Sequence, residues 1–136
     1  MARLIDTSIF IAQERGTFQL PREMEDRQIT EVYISVVTAS ELLHGVHRAI
    51  YPAIKQRRLH SVEQVLAEFP ILPIDITIAR QHAALAAKIR GAGTIIGDND
   101  LWIAATCLAH NLIMVTGNER EFRRIPGLAV ENWLKA

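Results

Sequence analysis

The chain has 136 residues, 49% of them hydrophobic, with 15 basic side chains against 15 acidic ones and a formal net charge of zero. That length suits one domain over residues 1–136 with a sizeable core, and the balanced charge excludes an overall basic field, so any RNA or DNA contact has to come from a local patch. Cys107 is the only cysteine, which excludes an internal disulfide and fits a reducing cytoplasm; neither an apolar signal segment nor a membrane-length apolar run is expected.

Leu4-Ile5 reads as a short buried strand that stops at Asp6, after which Thr7 or Ser8 caps a helix through Ile9, Phe10 and Ile11. Asp6 then stands at the carboxyl end of a strand, the edge where open α/β sheets bind ligands; the alternative is a turn aspartate bonding its own backbone. Residues 16–28 are polar, break at Pro21 and predict a short solvated helix and loop. The β-branched and aromatic run Val32 to Val37 predicts a strand. Thr38-Ala39-Ser40-Glu41 then matches a capping box, in which Glu41 would reach back to the Thr38 amide; Glu41 is also a second acid just past a strand end. Glu41 and His44 have the E-x-x-H spacing of di-iron bundles, but those need two such motifs and two further acids, so His44 and His47 read as surface or packing residues.

Residues 53–68 predict a long amphipathic helix. Its Lys55, Arg57, Arg58 and His60 form the densest basic group, either a solvated face or a phosphate-facing patch. Residues 71–75 predict a short strand, with Pro73 marking an edge or an end. Residues 77–90 predict an alanine-rich helix with Gly91 as C-cap, whose small residues suit packing on a sheet or a second subunit. Gly91-Ala92-Gly93-Thr94 does not complete a phosphate-binding G-x-G-x-x-G. From Asp98 to His110 an apolar helix follows, with Asp98 as its cap, Asp100 in the first turn where the helix dipole favours an anion, and Cys107 in its core face. Asn111 ends it. Residues 112–116 predict an apolar strand, and Asn118, Glu119 and Glu121 cluster beyond it. Residues 128–133 predict a last short strand.

Strands alternating with helices imply a parallel central sheet of about four to five strands with helices on both faces, an α/β three-layer architecture. All strand carboxyl ends then face one edge. Asp6, Glu41, Asp98 or Asp100, and the group from Asn118 to Glu121 converge there from four segments. Two carboxylates about 4 Å apart repel by on the order of 4 kcal/mol at an effective dielectric near 20, so the set calls for a counter-charge. An all-oxygen set without thiolate suits Mg²⁺ or Mn²⁺ rather than structural zinc, and such an ion supports phosphodiester hydrolysis.

Leu4-Ile5-Asp6-Thr7-Ser8, Ser40-Glu41-Leu42-Leu43-His44-Gly45, Asn99-Asp100-Leu101-Trp102-Ile103-Ala104-Ala105 and Val115-Thr116-Gly117-Asn118, in this order, resemble the PIN-domain ribonucleases, and more narrowly the VapC-type toxins of bacterial toxin–antitoxin pairs. The segment from Phe122 to Trp133 is similar to the same subgroup. The resemblance implies a PIN-like fold and a Mg²⁺- or Mn²⁺-dependent endoribonuclease, with a tRNA or another structured RNA among its candidate substrates. It also implies a homodimer, silenced by a small VapB-type antitoxin. Its acidic positions match Asp6, Glu41 and Asp100. A fourth acid is common near the end of the Val115 strand, where this chain has Asn118, with Glu119 and Glu121 close by; Asp98 is an extra acid that is a cap, a ligand or a support to one. Two further classes compete. A haloacid-dehalogenase-like phosphatase would need a second aspartate two residues after Asp6, where Ser8 stands, and a receiver domain would need a lysine near Thr116-Gly117-Asn118. A degenerate PIN-like module that binds RNA or a partner without cutting is the non-enzymatic alternative.

Overall fold

Leu4, Ile5, Met114 and Val115 have no solvent exposure at all, and successive strand residues point to opposite faces, so their two strands must be covered on both sides. The computed structural model, which describes residues 2–135, shows how. Its strands are β1 (Arg3–Ile5), β2 (Val32–Ser35), β3 (Ile71–Leu72), β4 (Ile113–Val115) and β5 (Val130–Glu131), paired in parallel in the order β3-β2-β1-β4-β5. Arg3 lies opposite both Val32 and Ile113, and Ile5 opposite Val115. The helices are α1 (Thr7–Glu14), α2 (Leu20–Asp26), α3 (Val36–Arg48), α4 (Pro52–Glu68), α5 (Ile76–Gly91), α6 (Asp98–Ala109) and α7 (Glu119–Phe122).

One core layer joins Leu4 and Met114 to Leu85 and Ile89 of α5, Leu101 and Ile103 of α6, and Phe122 of α7. The other joins Ile5 and Val115 to α1, α2, α3 and α4 through Ile9, Leu20, Leu42 and Val62. The architecture is the three-layer α/β arrangement expected. From β1 the chain steps outward through β2 to β3, then returns to β4 beside β1 and steps the other way to β5. The reversal falls between β1 and β4, and in open parallel sheets the crevice at such a switch point is where ligands bind. Among the described residues no helix is long and apolar enough to cross a membrane.

Several local expectations are corrected, most of them by a helix that starts earlier than its motif suggested. Asp6 itself, not Thr7 or Ser8, caps α1. Ser35 caps α3, its Oγ accepting from the amides of Val37 (3.0 Å) and Thr38 (3.2 Å). Thr38 and Glu41 therefore lie inside the helix and form no capping box, and β2 ends at Ser35 because tertiary packing overrides the strand preference of Val36 and Val37. Gly97 caps α6, so Asp98 is its first helical residue and not its cap. β3 stops at Leu72, since Pro73 has no amide to continue the ladder. Asp75 instead caps α5, accepting from the Ile78 amide at 3.0 Å. α5 is laid against α6, and His82 stacks on Trp102 with ring centroids 3.6 Å apart.

Candidate active site

Asp6 is fixed where β1, α1 and β4 meet. Its amide donates to the Val115 carbonyl (2.9 Å), carrying the β1–β4 ladder one residue past the strand. The residue is 4% exposed. Oδ2 accepts from Ser8 Oγ at 2.7 Å, Thr116 Oγ1 at 2.8 Å and the Ser8 amide at 3.4 Å. The two hydroxyls are themselves oriented, Ser8 Oγ by the Gly117 amide (2.9 Å) and Thr116 Oγ1 by the Asn118 amide (2.9 Å). Among the described residues Oδ1 accepts no hydrogen bond, and no buried side-chain oxygen or nitrogen there lacks a partner, so Oδ1 reaches solvent. One oxygen of Asp6 holds the loops together while the other stays open.

Glu41 lies on α3, a turn and a half past its start. Thr7 Oγ1 donates to Oε1 at 2.7 Å and lies 3.0 Å from Thr38 Oγ1, and Asn99 Nδ2 approaches Oε2 at 3.5 Å. Freed from a capping role, Glu41 thus spans α1 and the start of α6. Asp100, in the first turn of α6, is half-buried. Burial first, then a hydrogen bond to Glu121 and the negative charges of Glu121, Asp6 and Glu41, push its carboxyl up to about 8. Burial also disfavours the charge on Glu121, but hydrogen bonds from Asp100, the Gly97 amide and Asn118 outweigh it and hold Glu121 below the usual carboxylate range. At neutral pH the pair therefore shares one proton, carried on Asp100. Asn118 Nδ2 donates to Glu121 Oε2 at 2.5 Å and the Gly97 amide to Oε1 at 3.3 Å.

The remaining sequence candidates fall elsewhere. Glu119 makes ion pairs with Arg123 (3.2 Å) and Lys135, which lower its carboxyl, Lys135 contributing most. Asp98 is exposed and faces Arg90 at 3.6 Å. Of Asn118, Glu119 and Glu121, it is Glu121 that bonds Asp100, with Asn118 as its donor. Of the basic group on α4, Arg57 and Arg58 face away from this edge. Arg58 donates to Glu14 Oε1 at 2.6 Å and to the Gly45 carbonyl at 3.0 Å. Glu14 ends α1, about 12 Å from Asp6 at 1.5 Å per helical residue. Arg57 and Arg58 line a separate groove of about 630 Å³ with Phe10, Pro21 and Val65. Cys107 is core, donating to the Leu112 carbonyl, and burial pushes its thiol up to about 12. Sequence reasoning missed the hydroxyls of Thr7, Ser8 and Thr116. Their signal was visible, since each flanks an acid or a strand end directly.

Residues 3–128 match the family model described as PIN domain. The chain belongs to the PIN domain family. This PIN domain is 36% identical to the Ribonuclease VapC5 of Mycobacterium tuberculosis, covering 94% of this chain and 90% of that one. It is 30% identical to the tRNA(fMet)-specific endonuclease VapC of Salmonella typhimurium, covering 96% of each. Among solved structures it is similar to the DNA-bound VapBC of Salmonella typhimurium, with a TM-score of 0.87, 29% identity and 98% of each chain covered.

The donors of this PIN domain fit a hard cation. Asp6, Glu41, Asp100 and Glu121 present oxygen only, and burial, followed by the hydrogen bond to Glu121 and the negative charges of Glu121, Asp6 and Glu41, raises the Asp100 carboxyl. Among the described residues no group of three or more His, Cys, Asp or Glu side chains is placed to hold a metal ion as it stands; the all-oxygen chemistry of the set is that of a Mg²⁺ or Mn²⁺ ligand set and not of a thiolate zinc site.

Proposed function

We propose that this PIN domain is a metal-dependent endoribonuclease toxin of the VapC type, neutralised by a VapB-type antitoxin. The observation that carries the reading is the convergence of four carboxylates from four chain segments on the β1–β4 switch point, at a cost in electrostatic repulsion that only a function explains. Asp6, Glu41, Asp100 and Glu121 are the residues that would hold the ion, Mg²⁺ or Mn²⁺, and Asn118 orients Glu121. A divalent ion held there would supply activation of a water and stabilisation of negative charge on a phosphodiester. The chain's own groups prepare the site. Ser8 and Thr116 restrain Asp6 through one oxygen, Thr7 restrains Glu41, and the proton held by Asp100 leaves when positive charge arrives.

The partners follow from the relatives. Their printed names, Ribonuclease VapC5 and tRNA(fMet)-specific endonuclease VapC, support an RNA substrate for this chain, with a tRNA as the first candidate. The VapBC complexes among its structural neighbours support the antitoxin. A homodimer is supported by the outer surface at the start of α5, where Ile74 and Ile76 are 40% and 67% exposed beside an alanine-rich face. RNA substrates and the lone reduced cysteine support action in the cytoplasm. A map of RNA 5′ ends from cells expressing this chain alone, and with its antitoxin, tests the proposal. Recurrent internal cuts that vanish on antitoxin co-expression are expected; an unchanged map in both cases overturns it.

A further inference from the structure

We propose that the segment following β5, through Leu134 and Lys135, is a strap that positions the β4–α7 loop and α7, which carry Asn118 and Glu121. The inference rests on the metal-dependent reading of the site given above, and assigns Leu134 and Lys135 as positioning residues.

The need for a strap follows from α7. It has four residues, and one helical turn does not hold itself in place. Phe122 anchors it from beneath, fully buried in the core, but Asn118 and Glu121 must be fixed from above. After β5 the chain turns around Trp133, which is 3% exposed, donates to Glu131 Oε1 at 3.0 Å and carries the Arg27 guanidinium 4.9 Å over its ring. The Leu134 amide donates to Asn132 Oδ1 at 3.0 Å, closing the turn. This sends Leu134 across Gly117. A Cβ at position 117 would lie 2.6 Å from Leu134 Cδ1 and 3.6 Å from Ser8 Oγ. Gly117 thus lies against Leu134 and against the Ser8 hydroxyl, which accepts its amide hydrogen and donates to Asp6. Lys135 adds a second tie through its ion pair with Glu119, the first residue of α7. Glu119 therefore serves as the strap's buckle, and a side chain at 117 would require Leu134 Cδ1 to move aside.

Calorimetric Mn²⁺ titration of the RNA-free protein, with hydrogen exchange over residues 117–122, tests the strap. Leu134→Ala with Lys135→Ala is expected to weaken Mn²⁺ binding about tenfold, the scale of losses when groups behind metal ligands are removed. Exchange at residues 117–122 should quicken, while the cleavage rate at saturating Mn²⁺ is kept. Leu134→Met should restore both. Gly117→Ala is expected to push Leu134 away and weaken binding too, yet the Gly117→Ala, Leu134→Ala double variant should be no weaker than either single one, because both act on one contact. Unchanged affinity and exchange in the Leu134→Ala, Lys135→Ala variant, or additive losses in the double variant, overturn the strap. If the unaltered chain binds no Mn²⁺, it is the metal reading that fails, and exchange at 117–122 then decides the strap alone.

Discussion

Asp100→Asn should make the metal-free protein more stable while making it inactive. In the folded chain the Asp100 carboxyl is raised from 3.8 to about 8, burial being the largest cause. The sign is that of a raised acid. The neutral form folds without penalty below the unfolded pKa near 4, and stability is lost as pH climbs towards 8. At pH 7 the full linkage, at 1.36 kcal/mol per pH step, would reach about 4 kcal/mol. Asp100 is only half-buried, and solvent screening reduces that to about 1–2 kcal/mol. Asparagine keeps the shape and carries no charge to remove from water, so the variant should melt several degrees higher at pH 7 in a chelating buffer, given roughly 3–5 °C per kcal/mol for a chain of this size. The gain should shrink at pH 5, where the wild-type carboxyl loses less. Excess Mn²⁺ should narrow or reverse it by stabilising only the wild type. Thermal unfolding followed by circular dichroism at both pH values, with and without Mn²⁺, measures all of this. A variant less stable than wild type at pH 7, or a gain as large at pH 5 as at pH 7, would refute the reasoning that burial and the neighbouring carboxylates disfavour the Asp100 charge.

The shared proton has a second consequence: Mn²⁺ must displace it, so apparent affinity should rise between pH 6 and pH 8, and calorimetry in buffers of different ionisation enthalpy should detect net proton release on binding. Glu121→Gln should lose far more Mn²⁺ affinity than Glu119→Gln, because Glu121 bonds Asp100 while Glu119 is turned to Arg123 and Lys135; equal losses would return Glu119 to the site. On α4, Lys55→Ala with Arg57→Ala should leave the salt dependence of RNA binding unchanged. Arg58→Ala should instead cost about 0.5–1 kcal/mol of stability through the lost Glu14 pair and Gly45 bond; a flattened salt slope in the Lys55, Arg57 variant would show that this helix contacts phosphates after all.

The acids that could be read from the sequence were those placed by a strong strand. Asp6 follows Leu4-Ile5, and Glu41 and Asp100 stand in or near the first turns of helices that the hydrophobic pattern reveals. Their convergence needed only the rule that parallel strands share a carboxyl edge. The fourth acid could not be resolved in this way. In a single turn of helix the facing of Glu119 against Glu121 depends on Gly97, Phe122 and Lys135, which come from distant parts of the chain. The caps failed for a related reason. Thr38 to Glu41 satisfies the capping pattern, but Ser35 meets the same need three residues earlier, and packing of α3 on the sheet decides between them. The basic group on α4 was plain as composition, yet its partner Glu14 lies 44 residues away, so a salt bridge could not be told from a phosphate contact. The hydroxyls were readable in kind but not in role, since which oxygen of Asp6 they restrain depends on how β1 and β4 meet.

The most direct measurement incubates the purified chain with a structured RNA such as a tRNA, in Mg²⁺ or Mn²⁺ and in chelator, beside the Asp6→Asn variant. Internal cleavage that requires the metal and is lost in a natively folded Asp6→Asn protein is the predicted result. Cleavage that persists in chelator, or that Asp6→Asn performs at the wild-type rate, would contradict the assignment of this carboxylate cluster as the catalytic centre.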